Sequence, residues 1–278
     1  MGLKYNLQTF NNQNLDKVSE LTFSNGELHL YSLRSVSHDQ NEDSYGFLEI
    51  DRELKFFFVA DGMGGHQGGA KASELICKVI DEHISTLKKY DDREFRNIII
   101  DAIEKSNAEI NNLKIGAGST FSAIQITESG ARFFNSGDSM GLHLGSRGKL
   151  KHKVIEHSPL GFAIEAGVTT REQSNIADNI ISNALGFSPM WLELSEVIPF
   201  TDGDLLSVFT DGVLTTHKID EISDVLIADL FQTRLANLFT QMTSDPNKFL
   251  GDDTTIMLFK LGAQKENSTD PSKATSQA

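Results

Sequence analysis

The stretch Lys55–Ser73, KFFFVADGMGGHQGGAKAS, limits most tightly how this chain can fold. The run Phe56–Ala60 is too short for a buried helix and too bulky for a loop, so it reads as a strand covered on both faces. It stops at one acid, Asp61. Five glycines follow within eight residues, at 62, 64, 65, 68 and 69, and from Ala70 the pattern turns helical. A carboxylate at the end of a buried strand, beside backbone stripped of side chains, suits a place where an ion or a phosphate approaches the main chain. The same composition also suits a strand-to-helix turn that binds nothing.

The rest of the composition narrows the choices. The 278 residues are 39% hydrophobic and 23% charged, enough for one large domain or two small ones. A formal net charge of -14 argues against nucleic acid or an anionic membrane as the main partner, because phosphate backbones need clustered Lys and Arg. The excess of acids, 39 against 25 bases, leaves carboxylates for bound cations to neutralise. A single cysteine, Cys77, rules out a disulfide within the chain and a thiolate metal site. It reads as a small buried hydrophobe in a reducing compartment. The first residues lack the apolar core of a signal peptide, and Asn6 stands where a myristoylation signal has Ser or Thr. No apolar run approaches the roughly 18 residues needed to span a bilayer. The expected location is cytoplasmic.

Along the chain, residues 1–27 are Asn- and Gln-rich and read as an irregular lead-in. Strands are expected from Leu28, at Tyr45–Ile50 and through the Phe-rich run. Two helices follow, with Leu75, Ile76, Val79 and Ile80, then Phe95, Ile98, Ile99 and Ala102, at helical spacing. Asp91 is the expected N-cap of the second. Residues 118–150 read as an antiparallel meander, and residues 156–190 as a flap that ends in a helix reaching Leu185. Strands return at Leu192–Ile198 and Leu205–Phe209, a helix at Ile219–Met242 and a last strand at Thr254–Leu261. Residues 263–278 form a polar, disordered tail. Runs of strands separated by helix pairs indicate an α+β fold with antiparallel sheets.

The acids sit at strand ends. Asp61 ends one apolar strand and Asp211 another, each followed by glycine; Asp138 lies in the turn of FFNSGDSM; Asp252 and Asp253 precede TTIMLF; Glu42 and Asp43 lie between the first two strands. Asp202, Asp204, Asp91 and Asp92 read as solvated turn residues. A charge at the rim of a buried strand needs compensation. Should these ends converge, they form an oxygen-only cage that favours magnesium or manganese over zinc. Several carboxylates around one cleft are what a two-metal hydrolytic site requires. On residues alone, this is a candidate divalent-metal site. GxxxxGK[ST] and HExxH are absent, and the eight histidines are scattered.

The order NED (41–43), VADGMGGHQGGAKAS (59–73), GSTF (118–121), NSGDSM (135–140), LSVFTDGV (206–213) and GDDTT (251–255) resembles the PPM family. These are the metal-dependent protein phosphatases of the phosphatase 2C type, and the likeness is to the bacterial branch. The resemblance covers about residues 28–262 and implies one catalytic domain over that span. It implies two antiparallel sheets sandwiched between antiparallel helix pairs. It implies a serine/threonine phosphatase that uses two Mn2+ or Mg2+ ions and attacks phosphorus directly with the hydroxide bridging them. By position, Asp61 would bridge the ions, with Glu42 and the Gly62 carbonyl completing one site and Asp211 and Asp252 the other. Asp43 would hold water, and Asp138 would support a third, weaker ion. The implied partner is a phosphorylated protein opposed by a serine/threonine kinase, with a monomer expected.

Departures from the family pattern fall beside these acids. His38 occupies the place of an arginine that grips the substrate phosphate, and Arg34 lies four residues earlier. Met140 replaces the arginine after GDS, and Asp253 an asparagine. Two alternatives stay open: a catalytically weak phosphoprotein-binding module of the same fold, and a hydrolase of small phosphoesters.

Overall fold

Alternation along the strands decides how the sheets are covered. A computed structural model describes residues 5–64, 68–88, 91–177, 179–214, 236–237, 240, 244 and 251–262. Its strands are β1 (Tyr5–Asn11), β2 (Ser19–Phe23), β3 (Gly26–Leu33), β4 (Ser44–Ile50), β5 (Leu54–Ala60), β6 (Gly62–Met63) and β7 (Gly118–Ser119). They continue as β8 (Phe121–Thr127), β9 (Gly130–Ser136), β10 (Met140–Leu144), β11 (Leu150–Lys153), β12 (Glu193–Leu194), β13 (Leu205–Phe209) and β14 (Thr254–Leu261). Among the described residues one sheet runs β1-β4-β5-β8-β9-β12 and the other β11-β10-β13-β14-β3-β2, while β6 and β7 form a small pair. Every pairing is antiparallel.

In the first sheet, odd and even residues go to different cores. Tyr45, Phe47, Phe57 and Val59 face the second sheet, whereas Leu48, Ile50, Phe56 and Phe58 face helices α1 (Gly68–Ile84) and α2 (Asp92–Leu113). Phe57 meets Phe259 of β14 at 5.1 Å between centroids, and Phe56 meets Phe95 of α2 edge-on at 5.4 Å. Each such side chain contributes roughly 1.5–3 kcal/mol by leaving water. The Phe-rich run is therefore the central wall between two cores. Cys77 lies in the helix-side core, where burial pushes its thiol up to about 12. Asp91 caps α2 by accepting the Glu94 amide at 2.9 Å, as its position predicts.

Four expectations need correction. The lead-in holds two strands: β1 pairs with β4 and β2 with β3, and Leu7 and Phe10 reach opposite cores. Its Asn and Gln residues masked the alternation because an edge strand leaves polar side chains in water. The meander is broken, because β8 and β9 form a hairpin but β10 pairs with β11 and β13 in the other sheet. Period-2 alternation reports that a strand is half-buried without naming the sheet that receives it. The flap places its helix early, as α3 (Pro159–Glu165), followed by a 3-10 turn at Arg171–Gln173, and among the described residues no helix reaches Leu185. Ser158 caps α3 and Pro159 opens it. Finally, Asp204 is not solvated. It is 0% exposed and bonded to His143 Nε2 at 2.9 Å, to Thr201 and Ser146, and to Lys151. Most of the helix expected at Ile219–Met242, and the tail 263–278, lie outside the described residues.

Candidate metal centre

Strand register brings the acids to one rim. Ser44 pairs with Ala60, so Asp43 and Asp61 leave the ends of β4 and β5 side by side. Phe121 pairs with Ser136, which sets Thr120 next to the turn holding Asp138. Met140 pairs with Phe209 and Phe209 with Ile256, so the chain before β10, after β13 and before β14 emerges at a common end. That end carries Asp138, Asp211, Asp252 and Asp253. The Gly137–Ser139 turn is the crossing from one sheet to the other, and the two rims meet there.

Hydrogen bonds fix the arrangement. The Asp61 amide donates to Thr120 Oγ1 at 2.9 Å, and that hydroxyl meets Ser139 Oγ at 2.7 Å. Thr210 Oγ1 donates to Asp43 Oδ2 at 2.9 Å. Asp253 is the anchor of residues 35–42: its Oδ1 accepts the Ser35 amide at 2.6 Å, and its Oδ2 accepts the Glu42 amide at 2.7 Å and His38 Nδ1 at 3.0 Å. The Arg34 guanidinium donates to the His38 carbonyl oxygen. His38, Asp252 and Asp253 each offer a ligand atom within 4.8 Å of the others. Both Asp253 oxygens are already engaged, so this acid organises the loop.

Crowding makes the carboxylates resist ionisation. Burial, then the charges of Asp211, Asp43 and Asp252, raises Asp61 well above the carboxylate range. Burial and then Asp211 push Asp138 to about 8 and Asp252 to about 6. Burial and then Asp253 raise Asp43. Burial raises Asp211 too, against a hydrogen bond from Asp61 and the charge of Arg171 in the flap. Burial draws His38 down, but Asp253, Asp252 and Glu42 outweigh it and the net shift is upward. So many acids in one desolvated place raise each other's protonation unless a cation joins them.

The donor set fits divalent ions. Asp43 Oδ1 and Asp211 Oδ1 are buried without a hydrogen-bond partner among the described residues. A Cβ on Gly69 would stand 2.5 Å from both Glu42 Oε2 and the Gly62 carbonyl oxygen, so those two oxygens flank space that only glycine leaves open. All the donors are hard oxygens. Of the residues singled out in sequence, Glu42, Asp43, Asp61, Gly62, Asp138, Asp211 and Asp252 are gathered at this rim. Arg34 stands behind the His38 backbone. Sequence reasoning missed the supports Thr120 and Thr210, and also His157, whose backbone amide and Nδ1 both bond Gly137 beside Asp138. The first two sit inside the motifs GSTF and LSVFTDGV, but a lone hydroxyl carries no signal of its role.

The family profile described as Protein phosphatase 2C matches residues 34–248. The chain is 27% identical over 232 residues to the serine/threonine phosphatase stp of Listeria welshimeri, covering 78% of this chain and 88% of that protein. The structure of the S. agalactiae serine/threonine phosphatase superposes with a TM-score of 0.73 at 25% identity, over 85% of this chain and 99% of the other. The catalytic domain of the phosphatase PstP, solved in complex with two manganese ions, shares the fold with a TM-score of 0.65 at 20% identity, over 84% and 97% of the two chains.

Proposed function

The chain belongs to the protein phosphatase 2C family, and on that footing we propose that it hydrolyses phosphoserine and phosphothreonine in proteins with two Mn2+ or Mg2+ ions. The observation that carries this reading is the convergence of Glu42, Asp61, Asp138, Asp211 and Asp252, with an unpartnered Asp211 oxygen and a glycine-cleared space between Glu42 and Gly62. Asp61 would serve both ions, Glu42 and the Gly62 carbonyl would complete one site, and Asp211 and Asp252 would complete the other. Asp138 would take a third, weaker ion. When bound, the ions activate a water as nucleophile and polarise the phosphoryl group.

The chain's own groups orient this chemistry. Asp43, held by Thr210, aligns the attacking water. Thr120 holds the Asp61 amide, so the central carboxylate stays aimed. His38 takes the phosphate contact, with Asp253 fixing its Nδ1 and Arg34 bracing its carbonyl. Imidazole grips one phosphate oxygen where arginine would grip two, so affinity for the phosphate is weaker than an arginine would give. Met63 offers no proton, which leaves protonation of the leaving oxygen to water. The catalytic unit runs to residue 262 and includes β1 and β2. The protein acts as a cytoplasmic monomer against the products of a serine/threonine kinase. Among the described residues no helix is long and apolar enough to cross a membrane.

The test is turnover of a phosphothreonine peptide with manganese, with and without chelator, by the protein and by Asp211→Asn. Manganese-dependent turnover lost in the variant supports the reading. An inactive wild-type protein at saturating manganese, or a fully active Asp211→Asn, overturns it.

A further inference from the structure

One buried imidazole ties the flap to the acidic rim. His157 is 1% exposed. Its amide donates to the Gly137 carbonyl at 2.9 Å, and its Nδ1 accepts the Gly137 amide at 3.2 Å. Both backbone groups of the residue before Asp138 therefore bond one histidine, and the carbonyl also accepts Asn135 Nδ2 at 3.1 Å. With Nδ1 as acceptor, Nε2 carries the proton and donates to Glu193 Oε2 at 3.0 Å. The Asn183 amide also reaches Nδ1, at 2.8 Å. Phe162 and Trp191 pack against the ring, at 6.2 and 5.3 Å between centroids, and each remains 42–43% exposed.

Gly137 needs that support. Its φ is +122°, a conformation only glycine adopts freely, and glycine imposes no position of its own on the turn. On the far side, Ser139 Oγ meets Thr120 Oγ1 at 2.7 Å, and the same hydroxyl receives the Asp61 amide. Asp138 is thus bracketed between His157 and the group that aims Asp61. We infer that His157 is a positioning residue that holds the Asp138 turn in register with Asp61, so that ion binding at Asp138 depends on its Nδ1 contact to Gly137. It touches no reacting atom. The inference rests on the proposed reading of Asp138 as a ligand.

Two variants separate this role from packing. The oxygen of Asn falls near the place of Nδ1, so His157→Asn keeps an acceptor for the Gly137 amide. His157→Gln places its amide near Nε2, keeping the Glu193 contact and losing the one to Gly137. Both lose the ring, so a merely structural role would harm them alike. Manganese binding is followed by electron paramagnetic resonance, kcat and KM on the phosphothreonine peptide are measured, and thermal unfolding is compared. His157→Gln is expected to weaken the weakest-bound ion about tenfold or more. Its half-maximal manganese for kcat shifts in step while KM stays near wild type, and His157→Asn rescues most of the loss. Equal behaviour of the two variants, or unchanged ion binding in His157→Gln, overturns the inference. Ion binding without turnover by the wild-type protein overturns the phosphatase reading alone.

Discussion

Asp61 illustrates how function and stability oppose each other at single residues. Its carboxylate is buried beside Asp211, Asp43 and Asp252, so ionising it without a cation is costly. Asp61→Asn is expected to lower manganese-dependent turnover by about a hundredfold or more. The same change is expected to raise the melting temperature of the chelated protein, because one crowded acid is gone. Enzyme kinetics and thermal unfolding in chelator read the two effects separately, and a variant that melts lower in chelator would contradict the account. Gly212 is a second case. A Cβ there would overlap the Asp253 carbonyl oxygen, and Asp211 precedes it directly. Gly212→Ala is expected to cost about 1–3 kcal/mol in denaturant unfolding. It should also weaken manganese binding, because the backbone must move between two of the rim acids.

At the scale of elements, the two ends of the β10–β13 pair do different work. One end opens on Asp138 and Asp211. The other is closed by Asp204, which joins His143 of β10, Lys151 of β11 and the Thr201 turn. Burial pushes the Asp204 carboxyl up, but hydrogen bonds from Lys151, His143 and Thr201 outweigh it and hold it at about 2. Asp204→Ala leaves His143 and the turn without their partner and is expected to destabilise the fold by about 3–5 kcal/mol. Manganese affinity of the folded variant should stay at the wild-type value, measured by titration below its melting temperature. A large loss of metal affinity in a folded Asp204→Ala would mean the two ends are coupled.

For the whole molecule, the rim acids predict how stability follows pH and metal. Their folded values lie above the ordinary carboxylate value of about 4, with Asp252 near 6 and Asp138 near 8. Between those limits the folded chain holds protons that the unfolded chain has released, so metal-free stability falls as pH rises through the window. The melting temperature in chelator is expected to drop from about pH 5 to about pH 8, and the increase on adding manganese to widen. A flat profile in chelator would show that the rim is not desolvated. Asp204 acts in the opposite sense: its contribution is complete above about pH 4 and is lost only as pH falls toward its folded value.

Much of this arrangement was legible without coordinates, and the part that was not has a physical reason. The buried run before Asp61, the Asp91 cap, the strands at Leu205–Phe209 and Thr254–Leu261, and the acids at their ends are local. Periodicity, capping chemistry and glycine freedom act over a few residues. Local pattern also revealed that Asp61 and Asp211 are alike in kind. It misjudged Asp204, since a turn acid looks the same in sequence whether it meets water or a lysine and a buried histidine. Only the tertiary structure decided that β10 leaves its hairpin for the second sheet and carries Asp138 across to Asp211. It alone brought His157 onto Gly137 and closed both Asp253 oxygens on the loop of residues 35–42. Those contacts join residues from 20 to more than 200 positions apart. Strand register and sheet choice set them, and no local propensity encodes which distant partner a strand end will face.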